Sequence, residues 1–172
     1  FFEEHDGDLH HFNQSVLLRA REHLDQESLR SVFRKLQEHH DGLRMTYRMA
    51  GGAVHQANSG LDHPLSFDLV DLRSKKEPTA CLESHADEVQ RSLDLENGPL
   101  MKVVLYRLET EDRILIVIHH LVVDGVSWRI LLEDLQKGYR QRLEGKEIDF
   151  GPKTDSFKQW AEAVETYGIS KY

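Results

Sequence analysis

Two adjacent histidines follow a short apolar run and precede a turn that carries an aspartate and a glycine. The run covers residues 114–118; His119 and His120 come next, and Asp124 and Gly125 follow after three apolar residues. A short run rich in β-branched residues is typical of a buried strand. Histidine changes charge near neutral pH, and a buried strand would hold its imidazole on a rigid support. The pattern therefore predicts a proton-transfer site.

The strand and the turn would orient these histidines. Neighbouring side chains of a strand point to opposite faces, so His119 and His120 should diverge, one into a cleft and one into the sheet behind it. Asp124 can fold back to hydrogen-bond an imidazole or to pair with an arginine, and Gly125 suits a tight turn. A purely structural histidine at the end of a buried strand is the alternative interpretation.

Other chemistries need patterns that this sequence lacks. A zinc site needs three or four converging ligands, and adjacent strand histidines diverge, so we expect no metal at this motif. A Ser-His-Asp triad is disfavoured because Ser127 is predicted to cap the next helix and no Gly-x-Ser-x-Gly elbow occurs. The glycine patterns that bind nucleotide phosphates do not occur either.

The composition is that of an ordinary globular domain. The chain has 172 residues, 39% hydrophobic and 30% charged, which is enough for one hydrophobic core. Its formal net charge is −8 with both signs interspersed, which disfavours a nucleic-acid-binding groove. No apolar stretch approaches the ~20 residues that cross a bilayer, so we expect no membrane association.

The single cysteine and the first residues suggest the cellular context. Cys81 has no partner for an intramolecular disulfide, which predicts a reducing, cytoplasmic environment. Its place in a predicted helix favours a small buried thiol over a nucleophile. Residues 1–4 lack the basic and apolar regions of a signal peptide and an initiator Met, so we expect a piece of a longer protein.

The segments around the motif combine strands and helices without strict alternation. Alternating or apolar runs predict strands over residues 13–19, 45–49, 53–57, 67–71, 101–108 and 113–119. Helical spacing and end signals predict a helix from an Asp25 N-cap to a Gly42 stop, and others over residues 78–93, 128–143 and 154–168. The fold class is therefore predicted as α+β, a mixed or mainly antiparallel sheet with helices packed on it.

The motif residues carry a family resemblance. His119, His120, Asp124 and Gly125 form His-His-x-x-x-Asp-Gly, and in this the chain resembles the condensation-domain superfamily of nonribosomal peptide synthetases. The continuation over residues 126–131 is similar to the epimerization subfamily rather than to ordinary condensation domains.

Other segments extend the resemblance over the whole chain. Residues 10–15 are similar to the epimerization subfamily's first strand, and Phe1 and Phe2 to the tail of its opening motif. Residues 39–44 resemble the family's Arg-His-Glu-x-Leu-Arg segment, although His39 stands where condensation domains usually carry arginine. Residues 97–100 fit the turn before the family's central hairpin.

The resemblance implies a chloramphenicol-acetyltransferase-like fold of two similar lobes that face a shared cleft. Residues 1–172 correspond to the N-terminal lobe, and the C-terminal lobe, with the family's later motifs, is absent from this sequence. The isolated chain is therefore expected to be inactive, because one wall of the cleft is missing.

The resemblance also implies an activity and roles for particular residues. The family's epimerization domains convert an aminoacyl or peptidyl thioester from L to D at Cα. His120 would transfer the proton, His119 would orient the site, and Asp124 with Gly125 would hold the turn. Arg44 would pair with Asp124 in a structural salt bridge.

The substrate of such a domain arrives on the phosphopantetheine arm of a peptidyl carrier protein. Asn13, Ser127 and Trp128 would lie along the channel for that arm, although Trp128 is equally suited to anchoring the start of a helix. No directly bound cofactor and no metal are implied. The implied partners are the carrier domain, other synthetase modules and the second lobe.

Three alternatives stay open on the sequence. A condensation domain would use the same histidine to position or deprotonate an attacking amine. A free acyltransferase of the same fold is a second possibility. The third is a non-enzymatic half-domain that serves only for docking.

Overall fold

A computed structural model describes residue 2, residues 8–61 and residues 63–169. Phe1, part of the N-terminal resemblance, lies outside the described residues. The strands are β1 (Asn13–Ala20), β2 (Met45–Ala50), β3 (Ala53–Asn58), β4 (Ser66–Asp71), β5 (Met101–Arg107) and β6 (Asp112–His119). The helices are α1 (Gln26–His39), α2 (Pro78–Gln90), α3 (Gly125–Leu143) and α4 (Phe157–Ile169), with short 3₁₀ helices at Leu9–His11 and Asp41–Arg44.

The main sheet has four strands in the order β1-β6-β5-β4. β6 is antiparallel to both β1 and β5, while β4 runs parallel to β5, so the sheet is mixed. β2 and β3 form a separate antiparallel hairpin around Gly51 and Gly52, as predicted. The predicted α+β class, a mixed sheet with helices packed on it, is confirmed.

Both faces of the central strands are covered. One face packs against α1 and α3, in a cluster that includes Val103, Leu105, Ile114, Ile116 and Ile118. The other face packs against α2, in a cluster that includes Val104, Tyr106, Leu115 and Val117. Burial on both faces explains why β5 and β6 are almost continuously apolar. No helix in the described ranges is long and apolar enough to cross a membrane.

The helix ends differ from several predictions. Asp25 caps α1 as predicted, since its side chain accepts a 2.8 Å hydrogen bond from the Ser28 N–H. The predicted Gly42 stop is wrong, because α1 ends at His39 and Gly42 lies within a 3₁₀ helix. The last helix begins at Phe157 rather than Thr154.

A buried carboxylate secures the start of β6. The Asp112 side chain is fully buried and accepts hydrogen bonds from the Leu24 N–H at 2.9 Å and from Arg107 Nη2 at 3.2 Å. His23 Nδ1 lies 2.9 Å from the same carboxylate. Burial alone would raise the pKa of Asp112, but these hydrogen bonds outweigh it and hold the pKa below its ordinary value.

Candidate functional site

The two motif histidines lie in different surroundings. His119 ends β6 and is fully buried, with its Nε2 2.8 Å from the Leu9 carbonyl and its Nδ1 3.2 Å from the Leu121 N–H. A carbonyl only accepts and an amide N–H only donates, so the proton of this imidazole belongs on Nε2. Burial is the main cause that lowers the pKa of His119. Its surroundings are those of a structural residue.

His120 lies just beyond the strand and is only half-buried. Its Nδ1 lies 2.9 Å from the Val123 carbonyl, within the same turn. Its ring stacks on Phe12, with centroids 5.1 Å apart and planes inclined by 10°. The backbone N–H of His120 also donates to the Phe12 carbonyl at 2.8 Å. These contacts fix the imidazole on an otherwise accessible rim.

A chain of side chains determines which nitrogen of His120 carries the proton. Trp128 Nε1, which only donates, lies 2.8 Å from Gln14 Oε1. The amide nitrogen of Gln14 therefore faces His120 Nε2, at 3.0 Å, and donates to it. Since the Val123 carbonyl accepts from Nδ1, the pattern assigns the Nδ1–H tautomer to His120. Its Nε2 carries a lone pair, as a base requires.

A cavity opens beside His120. It has a volume of about 300 Å³ and is lined by Gly42, Met45, Tyr47, His120, Leu121, Val122, Val123, Asp124, Ser127 and Phe157. A larger cavity of about 590 Å³ shares Met45 and Phe157 with it and reaches Arg44 and α4. His120 is thus not enclosed by aliphatic neighbours.

Asp124 caps α3 and makes none of the pairings considered for it. Its Oδ1 accepts from the Ser127 N–H at 2.7 Å and from the Ser127 hydroxyl at 2.6 Å. These hydrogen bonds lower the pKa of Asp124. The prediction that Ser127 caps the helix is wrong, because α3 begins at Gly125, three residues before the predicted start, and the Asp124 side chain accepts from the N–H of the third helical residue.

The predicted salt bridge between Arg44 and Asp124 is also wrong. Arg44 is buried, and its Nη1 donates to the carbonyls of Gln37 and of Glu38, the latter at 2.9 Å. The last carbonyls of a helix lack partners within the helix and attract cations. Arg44 satisfies those of α1 and thereby fixes the end of that helix.

The remaining predicted residues are only partly brought together. Ser127 lines the cavity with His120, and Trp128 packs on the α1–α3 side of the core. Asn13 is on the other face of β1, where its Nδ2 donates to the Gln90 carbonyl at 2.7 Å. Gly125 is the first residue of α3 and does not have a positive φ, so the turn does not require a glycine there.

Gln14 and Phe12 are the contributors that sequence reasoning missed. Gln14 shares a face of β1 with Val16 and Leu18, which pack into the α1–α3 cluster. A polar residue at a position where the strand pattern predicts an apolar one could have indicated a functional role for Gln14. Its partner could not be inferred, because the contact depends on the pairing of β1 with β6.

Comparison with known proteins identifies relatives over the whole sequence. The condensation-domain family matches residues 1–172. The chain is 44% identical over 171 residues to tyrocidine synthase 2 of Brevibacillus parabrevis, covering 99% of this chain and 5% of that protein. It is 41% identical over 172 residues to gramicidin S synthase 1 of Brevibacillus brevis, covering 99% and 16%. The chain thus spans a small part of these relatives.

Solved structures of similar fold include domains of nonribosomal peptide synthetases. The chain superimposes on the epimerization domain from the third module of tyrocidine synthetase B with a TM-score of 0.91 and 44% identity, covering 94% of this chain and 37% of that one. It superimposes on the starter condensation domain of rhizomide synthetase with a TM-score of 0.80 and 18% identity, covering 92% and 38%. The second likeness concerns the fold alone.

Proposed function

Because the chain belongs to the condensation-domain family, we propose that it supplies one lobe of an epimerization site in a nonribosomal peptide synthetase. The reaction is inversion at Cα, from L to D, of an aminoacyl or peptidyl thioester held on the phosphopantetheine arm of a carrier protein. The high identity to a solved epimerization domain, against the low identity to a condensation domain, supports this choice.

The observation that carries the proposal is the state of His120. Its Nε2 carries a lone pair, its ring is fixed by Val123 and Phe12, and it lines an open cavity. Inversion requires that a base removes the Cα proton from one face while an acid delivers a proton to the other. The thioester carbonyl takes up the charge in between. We assign removal or delivery on one face to His120.

Gln14 has a defined part in this scheme. Its amide N–H occupies the lone pair of His120 Nε2 that a substrate proton must reach. Substrate therefore replaces Gln14 at this nitrogen, while Val123 continues to hold Nδ1. Gln14 is a positioning residue that keeps the imidazole oriented until the thioester arrives.

The proposed site also needs an opposing proton-transfer group, a channel for the substrate and partner domains. The family resemblance implies a glutamate in the second lobe as the opposing proton-transfer group. Ser127 and Trp128 stay candidates for the channel of the phosphopantetheine arm, and Asn13 is not carried into the site. The carrier domain and the neighbouring modules are the proposed partners, and the phosphopantetheine belongs to the carrier.

Condensation is the second candidate, because the starter condensation domain has the same fold. One experiment separates the two activities. A carrier is loaded with an L-aminoacyl group deuterated at Cα and incubated with the complete two-lobed domain. Loss of deuterium with appearance of the D form supports epimerization. Amide product without loss of deuterium supports condensation. If neither the D form nor the amide appears, the result supports a docking half-domain.

A further inference from the structure

A second pair of histidines meets an aspartate where the end of α1 packs on α3. His39 and His40 close α1, and Asp134 lies in α3. One potential ligand atom from each residue lies within 4.8 Å of the other two. All three side chains are partly buried. They are thus shielded from bulk water but still within reach of a small ion.

These consecutive histidines converge, unlike the pair at the end of β6. His39 is the last helical residue, and His40 leaves the helix with φ −97° and ψ 95°. The change of backbone direction brings the two rings edge to face, with centroids 4.9 Å apart. Phe150 also contacts His39, at 5.4 Å between ring centroids. The two rings therefore lie close enough for both to contribute a ligand to one ion.

Asp134 supplies the negative charge of the cluster. Its Oδ2 lies 2.9 Å from His40 Nε2, with side-chain exposures of 17% for Asp134 and 25% for His40. A metal ion that binds between these two atoms would replace the hydrogen-bonded proton, which is released to solvent, and would move the atoms slightly apart. The protein thus places two imidazole nitrogens and one carboxylate oxygen within 4.8 Å of one another.

The electrostatic surroundings also bear on binding. The negative charge of Asp134 near His39 attracts a cation, whereas Lys153 and Lys35 add positive charge that a bound cation must overcome. These lysines therefore weaken the attraction of the site for a cation.

We propose that His39, His40 and Asp134 bind a divalent transition metal of the zinc class, with water completing the coordination. Two imidazoles and one carboxylate suit Zn²⁺, Co²⁺ or Ni²⁺, and not Ca²⁺ or Mg²⁺, which prefer oxygen ligands. Tetrahedral zinc, with bonds of about 2.0–2.1 Å, needs ligand atoms about 3.3 Å apart. Side-chain rotations would adjust the separations of the ligand atoms, now within 4.8 Å of one another, to that distance.

The bound ion would join the end of α1 to α3 and stabilise the folded chain. This role is independent of the proposed epimerization. The probe is Co²⁺ alone, added to untagged protein and followed by its visible absorption, with Zn²⁺ as competitor and calorimetry for stoichiometry. We expect one equivalent to bind, Zn²⁺ to displace it, and the midpoint of thermal unfolding to rise with Zn²⁺.

Variants assign the binding to these residues. Asp134→Asn and His40→Ala should each weaken Co²⁺ binding at least tenfold, because each removes a ligand. His55→Ala, at an exposed position of β3, should bind as the unchanged protein does. His39→Gln replaces His40→Ala if the latter is unfolded in metal-free buffer. Absence of stoichiometric binding, or equal binding by Asp134→Asn and the unchanged protein, would overturn the proposal.

Discussion

Gln14 and His120, separated by 106 positions, are joined by a 3.0 Å contact between their side-chain nitrogens. The contact forms because β1 pairs antiparallel with β6, with Gln14 opposite Ile118, two residues before the histidine. Trp128, from the first turns of α3, approaches Gln14 from the other side at 2.8 Å. Residues from two strands and a helix thus determine the tautomer of the His120 imidazole.

The first prediction concerns the indole donor that orients Gln14. Trp128→Phe keeps an aromatic ring but removes the Nε1–H, so the Gln14 amide is free to turn its oxygen toward His120 Nε2. We expect the ¹⁵N spectrum of His120 to change from the Nδ1–H tautomer to a mixture. The rate of Cα exchange in the complete domain should fall about fivefold, the equivalent of ~1 kcal/mol for one hydrogen bond.

Trp160→Phe is the matched control for this substitution. Trp160 is 58% exposed in α4 and contacts Phe157 rather than Gln14. The control should retain the tautomer and the rate. An unaltered His120 spectrum in Trp128→Phe would show that the indole does not orient the amide.

The second prediction tests His120 as a proton-transfer group. His120→Ala in the complete domain should slow loss of deuterium from Cα by about 10²–10⁴-fold, the usual contribution of a general acid or base. The half-buried position makes the substitution tolerable, so circular dichroism should show an intact fold. Undiminished exchange in a folded variant would remove His120 from the mechanism. His55→Ala, far from this turn in sequence and exposed, serves as the control.

The third prediction tests whether Arg44 stabilises the end of α1 or forms a salt bridge with Asp124. Arg44→Ala should lower the free energy of unfolding by about 2–3 kcal/mol, because buried carbonyls of α1 lose their donor. Asp124→Ala should cost about 1 kcal/mol through loss of the cap of α3, and Asp124→Asn much less, because asparagine caps equally well.

A double-mutant cycle completes this test. Arg44 and Asp124 share no partner, so the Ala substitutions should add to within ~0.5 kcal/mol in urea unfolding. A larger coupling energy would restore the salt bridge implied by the family resemblance. Circular dichroism of the isolated chain suffices for the measurement.

The fourth prediction concerns acid stability and Asp112. A carboxyl whose folded pKa is lowered stabilises the fold above its unfolded pKa, and the stabilisation disappears as the pH falls through the folded pKa. Asp112→Asn should therefore destabilise the chain by about 3 kcal/mol at neutral pH, because Arg107 loses its buried partner. The difference from the unchanged protein should shrink below about pH 4.

Urea unfolding between pH 3 and pH 7 measures this difference directly. Other carboxyls with lowered pKa values, among them Asp25 and Asp94, contribute equally to both proteins and cancel in the subtraction. Asp68→Asn, at an exposed position of β4, should change little at any pH. A constant difference for Asp112→Asn over the whole range would contradict the assignment.

Much of the fold could be predicted from local patterns. The hairpin around Gly51 and Gly52, the Asp25 cap and the apolar strands β5 and β6 depend on neighbours in sequence, and the structure confirms them. The parallel pairing of β4 with β5 could not be predicted, because it depends on which edge of the sheet the chain returns to after β4 and α2.

For the site, the sequence alone determined that two histidines end an apolar strand and precede a turn with an aspartate, since apolar runs and turn signals are local patterns. Only the tertiary structure decided which atoms meet them. Asp124 caps its own helix and Arg44 binds carbonyls at the end of α1. Each side chain lies next to helix-end backbone groups that have no partner within the helix. The partner of His120 came from β1, through a strand register that no local pattern records.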